Sequence, residues 1–159
     1  DRLNGFKGTL FRQTQFAEFE MMIHQTVQDG TPLTGEVLSN MYLDLVRRYY
    51  GHDNGVCYVD DNINMEWAYI PHFYYNFYVY QYSTSFTASN ALAEKVLSKE
   101  PEALDNYLAF LGSGGSDYPI ELLKKAGVDM TTSEAFDNTI KAMNRVMDEI
   151  EKILDEKGM

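Results

Sequence analysis

Cysteine is almost missing from this 159-residue chain. Cys57 stands alone, so no disulfide can close within the chain, and a zinc site built from cysteines is excluded. A reducing compartment is the expected environment. Histidine is nearly as scarce. His24, His52 and His72 are the only three, and no two are four residues apart. The H-E-x-x-H pattern, in which two histidines face a metal from one side of a helix, is therefore missing. Basic residues are few, 13 against 24 acidic ones, for a formal net charge of −11. That balance argues against nucleic acid as a partner, because phosphate binding needs basic patches. No apolar run is long enough to span a membrane. No signal-peptide pattern is visible, and the chain opens on Asp1 rather than Met, so the native N-terminus is expected to lie further upstream.

The composition is otherwise that of a folded domain with a real core: 45% hydrophobic and 23% charged. Aromatics reach 14%, with twelve Tyr and nine Phe. A tyrosine excess suits a surface that is both apolar and hydrogen-bonding, such as a peptide groove, and equally suits an aromatic core. Acidic residues gather from Glu134 onward, as on a solvated helix face.

Helical periodicity dominates, and an all-α array of about five or six helices is expected, without repeats or a second-domain linker. Phe16, Phe19, Ile23 and Val27 fall on one face of a helix from about Gly8 to Gln28, with Asp29-Gly30 as its end. Thr34 reads as the N-cap of a second helix striped by Leu38, Met41, Leu45 and Val46 and closed by Gly51. Residues 52 to 65 read as a loop, with a short extended piece at Val56, Tyr58 and Val59. Pro71 fits the first turn of a third helix that runs on to about Leu97. Pro101 opens a fourth, with Leu104, Leu108 and Leu111 on one side. Pro119, capped by Asp117, opens a short fifth that Gly127 ends. Thr131 and Glu134 have capping-box spacing. Beyond them Phe136, Ile140, Met143, Met147, Ile150 and Leu154 form an apolar seam that needs a partner.

On that helix model Tyr74, Tyr78 and Tyr82 stack at four-residue spacing, while Phe73, Phe77 and Tyr80 line a neighbouring face. Tyrosine hydroxyls beside His72 are donors of the kind that bind a peptide carbonyl or a developing oxyanion; the alternative is a set of core tyrosines with satisfied hydroxyls. His24 and His52 are expected to be structural. The glycine-rich stretch 112–116 follows a helix and is succeeded by Asp117. It therefore reads as a helix–helix connection rather than a phosphate loop. Glu18 and Glu20, two apart, do not share a helix face and are not expected to work as an acid–base pair. Arg12 is expected to pair with an acid from another helix.

Three stretches together resemble one family. F-R-Q-T-Q-F-A-E-F-E (11–20) is similar to the helix that follows the zinc-binding core of oligoendopeptidase F. I-P-H-F-Y-Y-N-F-Y-V-Y-Q-Y-S-T-S (70–85) resembles that family's active-site aromatic segment. G-S-G-G-S-D-Y-P-I-E-L-L-K-K-A-G-V-D-M (112–130) resembles its glycine-rich turn and the short helix beyond. The resemblance covers essentially the whole chain, in order. It implies that residues 1–159 are the C-terminal helical portion of the catalytic domain of a cytoplasmic zinc oligopeptidase of the thimet-oligopeptidase-like superfamily, a zincin-type enzyme. Such enzymes hydrolyse short peptides in a deep channel between helical halves. The motif that binds zinc lies upstream of this chain, in the N-terminal part of the same enzyme. Zinc is implied for the intact parent and none for the fragment, which is expected to be inactive alone. Carried over by position, His72, Tyr78 and Tyr82 are the catalytic candidates. His72 would bind the substrate carbonyl and the tyrosines would donate to the oxyanion, with Tyr80 as a further substrate-binding residue. The thimet branch is glycine-rich between the His and the first active Tyr. Here the segment is Phe73-Tyr74-Tyr75-Asn76, which leaves the tyrosine register open by one residue and carries over no loop mobility.

Two other readings predict different surfaces. A free-standing helical interaction module would bury the tyrosines in a closed core. A small-molecule-binding bundle would enclose a cavity beside them.

Overall fold

The computed structural model describes residues 1–158, and they are all-helical: seven α-helices, joined by π- and 3-10-helical segments, with no strand among the described residues. The helices are α1 (Arg2–Gly5), α2 (Arg12–Gln28), α3 (Gly35–Tyr50), α4 (Tyr80–Leu97), α5 (Ala103–Ser113), α6 (Pro119–Lys125) and α7 (Glu134–Glu156). They sort into two compact units. One comprises residues 11–81, and the other residues 1–10 together with those from 82 onward.

In the unit of residues 11–81, α2 and α3 are the frame. The ends of both follow from local chemistry. Thr34 takes an extended conformation and its hydroxyl accepts a hydrogen bond from the amide of Val37 at 3.2 Å, satisfying one of the orphan donors of α3. Gly30 follows α2 at φ +84°, and Gly51 ends α3 at φ +64°. At Gly51 the chain doubles back, and a Cβ there would meet Val56 at 3.0 Å. Gly51→Ala is therefore expected to cost about 1–2 kcal/mol from the left-handed backbone alone, as read by urea denaturation. A variant as stable as the parent would show that this turn relaxes freely.

The core of this unit is aromatic and β-branched: Phe16, Phe19, Tyr42, Leu45, Val46, Val59 and Val79. Phe19 meets Tyr42 edge-on at 5.1 Å and Phe73 at 5.4 Å. Part of the expected loop is ordered as a nine-residue 3-10 segment, Asp61–Tyr69, whose Ile63 and Trp67 pack against this core. The Asp60 side chain caps it through the amide of Asn62. The expected extended piece is irregular: Val59 is buried, while Val56 and Tyr58 lie exposed. His52 is structural, its Nδ1 accepting a hydrogen bond from the amide of Val59 at 2.9 Å.

Arg12 does pair with an acid, but the acid is Glu66 of the 3-10 segment. The other oxygen of Glu66 accepts from the hydroxyl of Tyr42, so one carboxylate ties α2, α3 and the 3-10 segment together. Burial, the hydrogen bond to Glu66 and that carboxylate's charge push the Tyr42 phenol far above its ordinary value. Glu18 makes a similar bridge at the surface, to Arg48 and to the Tyr49 hydroxyl. Partial burial and the Glu18 hydrogen bond push the Tyr49 phenol up to about 12.

The single helix expected from Pro71 to Leu97 is not formed. Pro71–Tyr74 is one 3-10 turn, residues 75–79 are irregular, and α4 starts only at Tyr80. The break falls at Asn76 and Phe77, both with left-handed backbones, at φ +47° and +59°.

In the other unit, α7 packs through its small residues. Ala135, Thr139 and Ala142 are buried, and the Thr139 hydroxyl donates to the carbonyl of Ala135 at 2.9 Å. The seam expected to be covered is only partly so. Ile140 and Met143 pack near Phe6 and Leu10, whereas Phe136, Met147, Ile150 and Leu154 remain exposed. On α5 the face is also the opposite of the expected one. Tyr107 and Phe110 pack toward Ala91 and Leu92, and Leu104, Leu108 and Leu111 face solvent.

The expected caps in this unit are replaced by others. Glu102 precedes α5 in a left-handed conformation, so the helix opens at Ala103 rather than at Pro101. Asp117 accepts from the amide of Tyr118 and pairs with Lys125 at 2.7 Å instead of capping α6. Thr131 does not cap α7. Its hydroxyl donates to Asp129 at 2.6 Å, and Ser133 occupies the N-cap position. The short polar residues before α7 thus satisfy one another, as Asp and Thr readily do in turns. The 112–116 stretch connects α5 to α6, and the Ser113 hydroxyl folds back onto the carbonyl of Ala109 at 2.7 Å.

Candidate active site

Pro71 presets the backbone of the 3-10 turn in which His72 sits, and that turn is anchored from beneath by Phe73. The Phe73 ring packs against Phe16 and Phe19, with centroids 5.7 and 5.4 Å away. Alternation across the turn then leaves His72 half-buried and Tyr74 almost wholly in solvent. Val79, fully buried, is the second anchor. Beside and between these anchors the chain carries His72, Tyr75 and Tyr78 as one aromatic group.

The His72 imidazole lies nearly parallel to the Tyr78 ring, with centroids 5.5 Å apart and 16° between planes. Tyr75 meets both edge-on, at 6.2 Å from each. Tyr78 retains 39% exposure. An imidazole stacked on a phenol, both partly exposed, brings together two side chains of the kind that can donate to a polarised carbonyl oxygen.

The structure thus brings His72 and Tyr78 together, but by the turn at Asn76–Phe77 rather than by helical spacing. Tyr74, expected in the same stack, is not part of it. Phe73 and Phe77, expected on one face with Tyr80, have separate roles. Phe73 is a core residue, and the Phe77 ring lies 4.7 Å from the imidazole of His24. Tyr80 is an exposed residue of the first turn of α4. Tyr82 follows on the same helix, within the other unit, and is 37% exposed.

Two residues of this region carried no signal in the sequence. Tyr75 was one tyrosine among many in an aromatic run. Glu20 reads in the sequence only as one of two acids unsuited to act as an acid–base pair. Its side chain is fully buried, and its Oε1 accepts a hydrogen bond from the amide of Phe77, 57 residues away. The bond falls within the backbone break. Left-handed conformations in non-glycine residues cost of order 1–3 kcal/mol each, least for Asn and most for a bulky side chain such as Phe.

A metal centre of the zinc-hydrolase kind needs three side-chain donors converging on one point. Among the described residues no group of three His, Cys, Asp or Glu is arranged to do so. Each histidine is engaged otherwise: His24 with Phe77, His52 with the amide of Val59, and His72 with Tyr78 and Tyr75. The residues of this chain do not fit a zinc site. No described helix is long and apolar enough to cross a membrane.

Residues 1–142 match the model of Peptidase family M3. Among curated proteins, the chain is 50% identical to Oligopeptidase PepF of Bacillus subtilis over 152 residues, covering 96% of this chain and 22% of that protein. It is 48% identical to Group B oligopeptidase PepB of Streptococcus agalactiae, again over 96% of this chain and 25% of the relative. Among solved structures, the crystal structure of oligoendopeptidase-F from Enterococcus faecium superimposes with a TM-score of 0.92 at 52% identity, over 98% of this chain and 29% of that one. The chain thus spans about a quarter of the length of the curated relatives it matches. By a family match over most of its length, and by relatives that follow it from end to end, this chain belongs to Peptidase family M3.

Proposed function

We propose that this chain is the substrate-facing helical part of a zinc metalloendopeptidase that hydrolyses short peptides in the cytoplasm. The observation that carries the reading is the half-exposed His72–Tyr78 stack in a chain of this family. As the scissile carbonyl carbon becomes tetrahedral, negative charge gathers on its oxygen. Donors already held in place stabilise that charge without reorganising. His72 offers a ring N–H and Tyr78 a hydroxyl. Tyr82 is proposed as a second hydroxyl donor, and Tyr80 as a contact to substrate further along the peptide. The metal ligands come from elsewhere in the parent polypeptide.

Exposure of the candidate tyrosines favours this reading over a closed interaction module, which would bury them. Bare apolar rows on α5 and α7 also accord with a part whose neighbours are other segments of the same enzyme.

The test compares the purified chain with its intact parent. The parent is expected to contain stoichiometric zinc, by atomic absorption, and to cleave a short quenched-fluorescence peptide until chelator is added. The chain alone is expected to show neither property. Stoichiometric zinc in the chain would overturn the division of labour proposed here, and a parent active after full chelation would overturn the metallopeptidase reading.

A further inference from the structure

The sharpest feature outside the proposed donors is the buried Glu20. A carboxylate wholly withdrawn from solvent is costly unless something holds it. Among the described residues Glu20 has no cationic partner. One oxygen takes the amide of Phe77, and the other, Oε2, is buried without a hydrogen-bond partner among the described residues. Core packing does not explain a carboxyl group at this place, since an apolar side chain would fill the same space at less cost.

What the carboxylate does hold is the backbone. Asn76 and Phe77 are consecutive non-glycine residues in the left-handed region. Such a pair persists only where the surroundings over-determine it. The surroundings here come from one face of α2. Glu20 takes the main-chain N–H of Phe77, and His24, one helical turn further on, packs its imidazole against the Phe77 ring. The residue that follows this clamped pair is Tyr78, and the reversal at 76–77 is what returns Tyr78 over His72.

We infer that Glu20 is a positioning residue: its buried carboxylate locks the Asn76–Phe77 turn and thereby sets the Tyr78 ring against His72. The inference rests on the proposed role of that pair in catalysis, and it deepens it. Glu20 touches no substrate and acts through the backbone.

The test is made in the intact parent with two substitutions of matched size. Glu20→Met removes the acceptor and fills the space; Glu20→Gln keeps a neutral acceptor at the same distance. The Met variant relieves the unpartnered Oε2 but leaves the Phe77 N–H without its acceptor; the two effects oppose, so it is expected to fold with a melting temperature close to the parent's. Its kcat/KM is nonetheless expected to fall about tenfold to a hundredfold, the scale of a misplacement of about 1 Å. The Gln variant is expected to recover most of that loss. Adding Glu20→Met to Tyr78→Phe is expected to cost less than about twofold beyond Tyr78→Phe alone, because the carboxylate acts through that hydroxyl. Hydrogen exchange at the Phe77 amide is expected to accelerate in the Met variant and not in the Gln variant.

A Met variant as active as the parent overturns the inference. So does a loss of the same size in the Tyr78→Phe background, which would mark a general effect on the fold. If Tyr78→Phe is silent, the catalytic reading of the pair fails by itself. The Phe77 amide then decides the matter for Glu20, since unchanged exchange removes the lock and faster exchange retains it.

Discussion

Tyr78→Phe in the intact parent is expected to lower kcat by about ten- to a thousandfold, with KM for a short peptide little changed. The substitution removes one oxygen and leaves the ring, so the stack on His72 at 5.5 Å is kept and the backbone around Asn76–Phe77 is undisturbed. On the proposed role, what disappears is a donor to charge that exists only while the carbonyl carbon is tetrahedral. An interaction of that kind contributes to the transition state and hardly to the bound substrate, so kcat and kcat/KM fall together. Steady-state hydrolysis of a fluorogenic peptide measures both. Unchanged turnover would refute the assignment of Tyr78. A rise in KM at constant kcat would make it a substrate contact instead.

The largest effect on stability is expected from Phe19→Ala, at about 3–5 kcal/mol. Phe19 is 1% exposed and joins two parts of the unit, meeting Tyr42 edge-on from one side and Phe73 from the other. Deleting the ring loses its transfer free energy and leaves a cavity that rigid aromatic neighbours cannot close. The chain carries its own probe for this unit. Trp67 is the only tryptophan; it packs against the same core, and its indole N–H donates to Ser39 at 3.2 Å. Fluorescence-monitored urea unfolding therefore reports residues 11–81 without contribution from the rest. A loss below about 1 kcal/mol would mean that the core collapses onto the space. Because Phe73 adjoins His72, the same substitution is expected to loosen the site along with the core.

Much of the fold was legible wherever a residue signals to its own neighbourhood. Thr34 and Gly51 bracket α3 as expected, since an N-cap hydroxyl and a left-handed glycine act within four residues of themselves. The end of α2 at Gly30 and the start of α6 at Pro119 follow the same logic. The expectation failed where two local rules competed. Pro71 can begin a helix, and the aromatic run after it has an acceptable helical period. Yet Phe73 and Val79 both reach the α2–α3 core, and they do so by a sharp reversal rather than a continuous helix. Thr131 had the spacing of a cap but found a nearer partner in Asp129.

The candidate site divides in the same way. His72 and Tyr78 were named from the sequence, and the structure stacks them; Tyr80 and Tyr82 were named and fall on α4. Glu20 and Tyr75 were not recognised. Both make contacts that no spacing along the chain encodes.

The bond from Phe77 to Glu20 closes a separation of 57 residues. A contact so distant along the chain forms only after the loop between its ends has been closed, a step paid in entropy before any interaction rewards it. The reversal at Asn76–Phe77 has no local preference to hold it meanwhile. During refolding, then, α2 and α3 can pair and bury their aromatic core while Tyr78 still samples many directions. Protection of the Phe77 amide from hydrogen exchange should lag recovery of the Trp67 signal, with the Asn76–Phe77 peptide among the last parts of the chain to settle.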